Sequence, residues 1–212
     1  APNDQTRAVI DFLHSLVRLQ IMSSAAEFIS QYTASSRGEI DFAWNGKHAA
    51  DFRDSNQEFR WQVVDLCINQ SSLASPLLLE HLFLADAEWA AEAWGSPHHF
   101  AQLGSALLEV GQEAVLDSFS KGFVRSFDTF GACHEIQLSK PLHARLSASA
   151  KEALSVATEE NHLKRLEAAL ALFTKLENET ATQGWAKVEP GTPVSNIHVV
   201  WPRWYHRLWE KI

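Results

Sequence analysis

Apolar residues recur at three- and four-residue spacing along nearly the whole chain, and runs of β-branched residues are few. This spacing places apolar side chains on one face of an α-helix. Clusters of Gly, Pro and Ser interrupt the pattern at intervals, as expected where helices end. The pattern therefore predicts an all-α fold, which we expect to be an irregular bundle or short helical array of six to eight helices.

Turn residues and capping signals set the predicted helix boundaries. Two Ser-Pro steps, Ser75-Pro76 and Ser96-Pro97, combine a good N-cap with a proline in the first helical turn, where its missing N–H is not needed. Thr158, followed by two glutamates, favours a new helix at 159 rather than one long helix from 141. We expect residues 38–46 to form a short strand or an extended connection, and residues 47–53 to form a short helix. The main predicted helices cover 4–34, 55–70, 76–94, 97–110, 112–130, 141–156 and 159–180.

Two predicted helices carry regular apolar stripes, and we expect these stripes to form the core. The stripe of the 112–130 helix also allows a second interpretation, the wall of an apolar cofactor pocket. Gly95 and Gly111 are expected to end the 76–94 and 97–110 helices. The stripes consist of Leu116, Phe119, Phe123, Phe127 and Phe130 in the first helix, and Leu163, Leu166, Leu170, Phe173 and Leu176 in the second.

The last dozen residues are unusually aromatic and follow a linker that contains two prolines and a glycine, at 187–193. A helix here would have one almost entirely aromatic face, which either docks on the body of the protein or binds a partner. We expect a helical domain at 1–184 and a linker with an aromatic segment at 185–212 that docks on this domain. The candidate partner-binding residues are Trp201, Trp204, Tyr205, Arg207 and Trp209.

The charge and composition of the chain limit the kinds of partner that we expect it to bind. The 212 residues include 18 Lys and Arg against 26 Asp and Glu, a formal charge of −8, which disfavours nucleic-acid binding and favours a basic partner. Two cysteines cannot build a disulfide framework, and this predicts a reducing, cytoplasmic location. No run approaches the ~20 apolar residues of a membrane span, so we expect no membrane role. The chain begins with Ala rather than Met, which leaves a removed leader open.

Histidine and glutamate residues one or two helical turns apart are candidate metal ligands. Glu159 and His162 have the Glu-x-x-His spacing of di-iron helical bundles, although only one copy is present. The alternative interpretation is a solvated acidic face with histidines at helix starts. A haem ligated by His14 is a related hypothesis. The candidate metal ligands are Glu80, His81, Glu88, His98, His99, Glu159 and His162.

Two further patterns have catalytic counterparts. Cys133-His134-Glu135 joins a thiol to an imidazole, but adjacent side chains usually point apart. Ser118 and Lys121 match a Ser-x-x-Lys pattern that chance alone produces about once in such a chain, and its companion motifs are missing. Cys67 lies on an apolar face and is expected to be a core residue.

The leading hypothesis is an acidic protein-interaction module of inhibitor, immunity or adaptor type. It depends on the charge, the aromatic tail and the lack of nucleotide-binding, hydrolase and metalloprotease motifs. The competing hypothesis is a metal- or haem-dependent helical enzyme or sensor, which requires at least three of the candidate ligands to converge. A homo-oligomer is compatible with both hypotheses.

Overall fold

The computed structural model describes residues 24–178, and helices account for nearly all regular structure within this part of the chain. Within this range the only β-type pairing is an isolated bridge between Trp44 and Asp54. The predicted all-α class is therefore confirmed. The chain divides into two units, Ala1–Asn178 and Glu179–Ile212. The aromatic tail lies outside the described residues, so its docking and the boundary at 184 stay predictions.

Eight helices fall within the described residues, and short 3₁₀ segments join several of them. The 3₁₀ segments are Ala34–Glu39, Ala49–Asp51, Ser71–Leu73, Gln112–Val115 and Cys133–Glu135. The α-helices are α1, described over 24–31, α2 (Gln57–Asn69), α3 (Pro76–Ala93), α4 (Phe100–Gly111), α5 (Leu116–Phe123), α6 (Phe127–Ala132), α7 (Lys140–Val156) and α8 (Glu160–Asn178). None of these described helices combines the length and the apolar character that crossing a bilayer requires.

The two Ser-Pro steps behave differently. Ser75 caps α3 as predicted, because its Oγ accepts a hydrogen bond from the backbone N–H of Leu78 at 3.2 Å. The prediction for Ser96 is wrong, since α4 begins three residues after Pro97, at Phe100. Residues 98 and 99 form a turn instead, closed by the Phe100 N–H bond to the Pro97 carbonyl at 3.0 Å. This turn carries the His99 side chain into the interior.

The single helix predicted over 112–130 is also wrong, because the segment contains a 3₁₀ turn, α5 and the start of α6. Ser126 begins the new helix with a capping box, in which its Oγ accepts from the Thr129 N–H and its own N–H donates to Thr129 Oγ1. The break turns Phe127 out of the predicted stripe, and this residue is 48% exposed.

Stacked phenylalanine rings form the centre of the core. Phe83 of α3 lies between Phe100 and Phe119, with ring centroids 4.6 Å and 5.5 Å away. Phe119 in turn stacks on Phe173 of α8 at 5.8 Å. Gly122 makes room for this stack, because a Cβ at position 122 would lie 2.5 Å from a Phe83 ring carbon. The phenylalanine stripe is thus core rather than a cofactor wall at these positions.

Candidate functional site

A fully buried arginine organises the polar part of the interior. Arg60 of α2 binds Asp54 Oδ2 through Nη2 at 2.6 Å and Asp86 Oδ1 through Nε at 2.8 Å, and all three side chains are 0% exposed. Its Nη1 donates to the carbonyl oxygens of Ile40 and Asp41 at 3.5 Å and 3.4 Å. A buried charge is tolerated only when it is paired in this way. Arg60 therefore ties the connection at 38–56 to α2 and α3.

Asp86 is the second centre of this network. Besides Arg60, it accepts a hydrogen bond from Trp61 Nε1 at 3.1 Å, and its Oδ2 lies 2.7 Å from His99 Nε2. A carboxylate against one ring nitrogen fixes the orientation of a histidine, as in many catalytic and metal-binding sites. Here the carboxylate also satisfies two other donors, so its geometry fits a structural anchor that holds α2, α3 and the start of α4 together.

A continuous group of aromatic side chains covers this network, and we call it the aromatic band. Successive rings lie within contact distance, for example Phe42 and Phe52 at 6.3 Å, Phe52 and Trp89 at 5.9 Å, and Trp89 and Trp61 at 5.3 Å between centroids. The rings are half-buried or exposed, so one side of the band packs inward and the other meets solvent. The aromatic band consists of Phe42, Trp44, Phe52, Trp61, Trp89 and His98.

Indole N–H groups hold the band in place. Trp89 Nε1 donates to Gln57 Oε1 at 3.1 Å, and Trp44 Nε1 donates to the Lys47 carbonyl at 2.8 Å. Together with the Trp61 bond to Asp86, these contacts fix all three indoles. Rigid aromatic side chains with one polar end satisfied and one face accessible suit a binding surface, since little conformational entropy is lost on binding.

Trp94 is the most exposed large apolar side chain among the described residues, at 84%. It follows the last residue of α3, with φ 58° and ψ 46°, in the left-handed region. We predicted that Gly95 would end this helix, but the tryptophan takes the conformation that glycine normally supplies. The left-handed conformation costs a non-glycine residue about 1–2 kcal/mol. An exposed tryptophan in a strained position is a candidate functional residue.

The structure does not assemble the predicted metal ligands. Within residues 24–178 no group of three or more His, Cys, Asp or Glu side chains is arranged to hold a metal ion. Glu80 accepts a hydrogen bond from Ser118 Oγ at 2.7 Å, and Glu88 forms a two-point ion pair with Arg125 at 2.7 Å and 2.8 Å. These two carboxylates are therefore committed to neighbouring side chains.

The histidines of the predicted set are likewise distributed over different contacts. His81 Nδ1 hydrogen-bonds the Tyr32 hydroxyl, and burial lowers the His81 pKa, with a smaller contribution from Arg37. Burial also raises the pKa of Tyr32 to about 12. His98 and His99 are in ring contact at 5.1 Å, but His99 is bound to Asp86. His162 Nε2 lies 3.3 Å from Asp117 Oδ1, so its ring is paired with a residue outside the candidate set.

Glu159 has a structural role at the start of α8. Its carboxylate accepts hydrogen bonds from the backbone N–H groups of Asn161 and His162, at 2.9 Å and 2.6 Å. These bonds lower the Glu159 pKa, as expected for a carboxylate at a helix N-terminus. Glu159 therefore supplies the cap that we predicted for Thr158.

Neither candidate nucleophile is activated. Lys121 Nζ binds Asp117 Oδ2 at 2.6 Å while Ser118 donates to Glu80, so the two side chains do not form a Ser-Lys pair. Burial raises the Cys133 pKa well above its ordinary value and the Cys67 pKa to about 12, which keeps both thiols protonated. Cys67 is fully buried, as predicted for a core residue.

Sequence reasoning missed the aromatic band because it considered tryptophans only in the C-terminal segment. Four of the eight tryptophans precede residue 95. Trp44, Trp61 and Trp89 belong to the aromatic band, and the fourth is Trp94. Outside the described residues lie the candidate haem ligand His14 and the predicted partner-binding residues Trp201, Trp204, Tyr205, Arg207 and Trp209.

Comparisons of the chain with protein-family models, curated proteins and solved structures each found no match.

Proposed function

We propose that this protein is an acidic protein-interaction module that works in the cytoplasm and binds a protein partner, in the manner of an inhibitor, immunity or adaptor protein. The observation that carries the proposal is Trp94, a tryptophan 84% exposed and held in a left-handed backbone conformation. The aromatic band supplies further contact area of the same chemistry. Tryptophan is strongly enriched among the residues that dominate binding energy at protein interfaces.

The charge of the chain supports a basic partner. At −8 the protein attracts positively charged surfaces over several ångströms and repels nucleic acid. Non-covalent interfaces commonly combine aromatic anchors with a charged periphery that speeds association. We propose the same role for the C-terminal aromatic residues, which would extend the partner surface: Trp201, Trp204, Tyr205, Arg207 and Trp209.

The metal- or haem-dependent alternative has less support. Six of the seven candidate ligands are engaged by Ser118, Arg125, Tyr32, Asp86 and Asp117, or by backbone N–H groups, and the seventh, His98, packs its ring against Trp61 and His99. An open coordination site would instead require several of them to converge on one point. A protein-binding role needs no such rearrangement, because the aromatic side chains are already presented at the surface.

The test is the substitution Trp94→Gly. Glycine adopts the left-handed conformation without strain, so we expect the variant to be as stable as the wild type or slightly more stable. If Trp94 is an anchor, the variant should bind the partner at least tenfold more weakly. The partner would be captured on immobilised full-length protein, identified and purified, and its Kd then measured by calorimetry for both forms.

Val156→Ala is the matched control. Val156 is also an exposed apolar residue, at 74%, but it lies at the end of α7 and outside the aromatic band. We expect this variant to bind the partner like the wild type. Equal affinity of the wild type and Trp94→Gly for the purified partner would refute the proposed surface, and failure of the wild-type protein to bind any purified candidate would refute the proposed function.

A further inference from the structure

We infer that a groove on the described domain binds a small amphipathic organic anion, a carboxylate with an apolar body. The groove encloses about 750 Å³, within the range of ligand pockets in proteins. Apolar residues contribute to its lining, including Leu84, Ala85 and Ala87 of α3, Gly122 of α5, and Val124. This inference is independent of the proposed protein partner.

The charged side chains of the groove are mainly cationic, in contrast to the acidic chain as a whole. Arg37, Lys121, Arg125 and Arg165 line it, against Asp41 and Glu88. A local excess of positive charge on a protein of charge −8 is unlike the average of its surface. Such a patch concentrates small anions at the groove.

Two of the four cations are neutralised within the groove. Arg37 Nε lies 2.8 Å from Asp41 Oδ1, and Arg125 makes two bonds to the carboxylate of Glu88. In each pair the negative charge of the carboxylate balances the positive charge of the arginine. The remaining cations, Lys121 and Arg165, therefore decide the net charge of the groove.

Lys121 and Arg165 share one carboxylate, that of Asp117. Lys121 Nζ binds Asp117 Oδ2 at 2.6 Å, whereas Arg165 Nη2 is 3.8 Å from Oδ1, which His162 Nε2 also approaches to 3.3 Å. The long distance means that Arg165 has an ion pair without a hydrogen bond. Three nitrogen-bearing side chains thus compete for two carboxylate oxygens, and Arg165 has the weakest contact.

Arg165 also has an unused donor. Its Nε is buried and has no hydrogen-bond acceptor among the described residues, although the side chain as a whole is 24% exposed. A buried donor on a charged group is costly when it stays unpaired. An anion in the groove would contact the exposed part of the Arg165 side chain, since arginine binds carboxylates and phosphates through paired N–H groups.

The apolar lining determines the class of anion. An inorganic ion would bind Arg165 but leave the half-buried side chains of Leu84 and Val124 in contact with water. A ligand with a hydrocarbon body gains from burying that surface as well. The geometry therefore points to an organic carboxylate of moderate length, with its head group at Arg165 and its body along α3.

Octanoate is the probe for this site, titrated into the full chain and followed by calorimetry. We expect saturable one-to-one binding with a Kd of about 1 mM or tighter, as ligands of this size allow. Octanol lacks the charge and inorganic phosphate lacks the apolar body, so each should bind at least tenfold more weakly. Equal binding of octanol, or no saturable binding of octanoate, would overturn the inference.

Arg165→Gln tests the residue itself, and we expect it to weaken octanoate binding at least tenfold. Lys164→Gln is the matched control, because Lys164 is the neighbouring cation on α8, 66% exposed and paired with Glu160. The Lys164→Gln variant should bind octanoate with the same affinity as the wild type. Arg165→Lys is the second variant if Arg165→Gln unfolds, and it should bind more weakly than the wild type. Unchanged affinity in a folded Arg165 variant would refute the site.

Discussion

Individual glycines show how tightly the core is packed. The Cβ of an alanine at 122 would lie 2.5 Å from Cε1 and 2.8 Å from Cδ1 of Phe83. That ring cannot move freely, since it stacks on Phe100 and Phe119. The close approach of α5 to α3 therefore depends on the absence of a side chain at Gly122.

Gly122→Ala should accordingly lower the free energy of unfolding by about 1–3 kcal/mol through overpacking. Gly131→Ala is the matched comparison, because Gly131 lies inside α6 and an added Cβ there meets no described atom within 4 Å. This second variant should be more stable by about 0.5–1 kcal/mol, the helical advantage of alanine over glycine. Urea denaturation measures both changes, and a loss of stability at 131 similar to that at 122 would contradict the packing argument.

At the scale of the helix, the two Ser-Pro steps give a paired prediction. Ser75→Ala removes the bond to the Leu78 N–H and should destabilise the protein by about 1 kcal/mol. Ser96→Ala should change stability by less than about 0.5 kcal/mol, because α4 starts at Phe100 with no side-chain cap. Thermal unfolding of both variants checks the pair. An equal loss at both positions would mean that Ser96 also caps a helix.

The helices whose ends depend on local signals were predictable. Ser75-Pro76 starts α3 as expected, and α7 and α8 each begin within one residue of the predicted position. The prediction failed where tertiary contacts or a competing cap decide the outcome. Ser96-Pro97 resembles Ser75-Pro76 locally, but the contact of His99 with Asp86 accompanies a turn there, and Ser126 begins a new helix inside an otherwise continuous pattern.

The candidate surface was less predictable than the helices, for a related reason. Helical periodicity predicts which side chains face inward, but it does not predict which other helix those side chains contact. Trp61 and Trp89 belong to different helices, and Arg60 and Asp86 are 26 residues apart in the chain. Their contacts arise from the packing of α2 against α3. The band was therefore visible in the sequence only as separate tryptophans.

At the scale of the whole molecule, two surfaces of different chemistry meet at one residue. Phe42 stacks with Trp44 and Phe52 in the aromatic band and also lines the cationic groove. Its segment is held by the buried network, since Asp54 accepts from the Ala43 N–H at 3.0 Å and also binds Arg60. The same buried charges thus position the aromatic surface and one side of the groove.

The stability of the whole domain should depend on pH through two buried histidines. Burial lowers the pKa values of His81 and His143, and a weaker attraction from Glu177 opposes the shift at His143. The unfolded chain then binds more protons than the folded protein as pH falls through about 6.5, the ordinary histidine pKa. The stability that the protein has while both histidines are neutral is therefore complete above that pH. It is lost as pH falls towards the lowered pKa values of the folded state.

His143→Leu isolates one of these contributions. His143 is 7% exposed and its Nδ1 has no hydrogen-bond partner among the described residues, so leucine removes a buried polar group that is unsatisfied. We expect a smaller loss of unfolding free energy between pH 7.5 and 5.5 than in the wild type, because only His81 still resists protonation. Urea denaturation across this range measures the slope, with Lys164→Gln as a surface control. A slope equal to that of the wild type would show that protonation of His143 does not oppose folding.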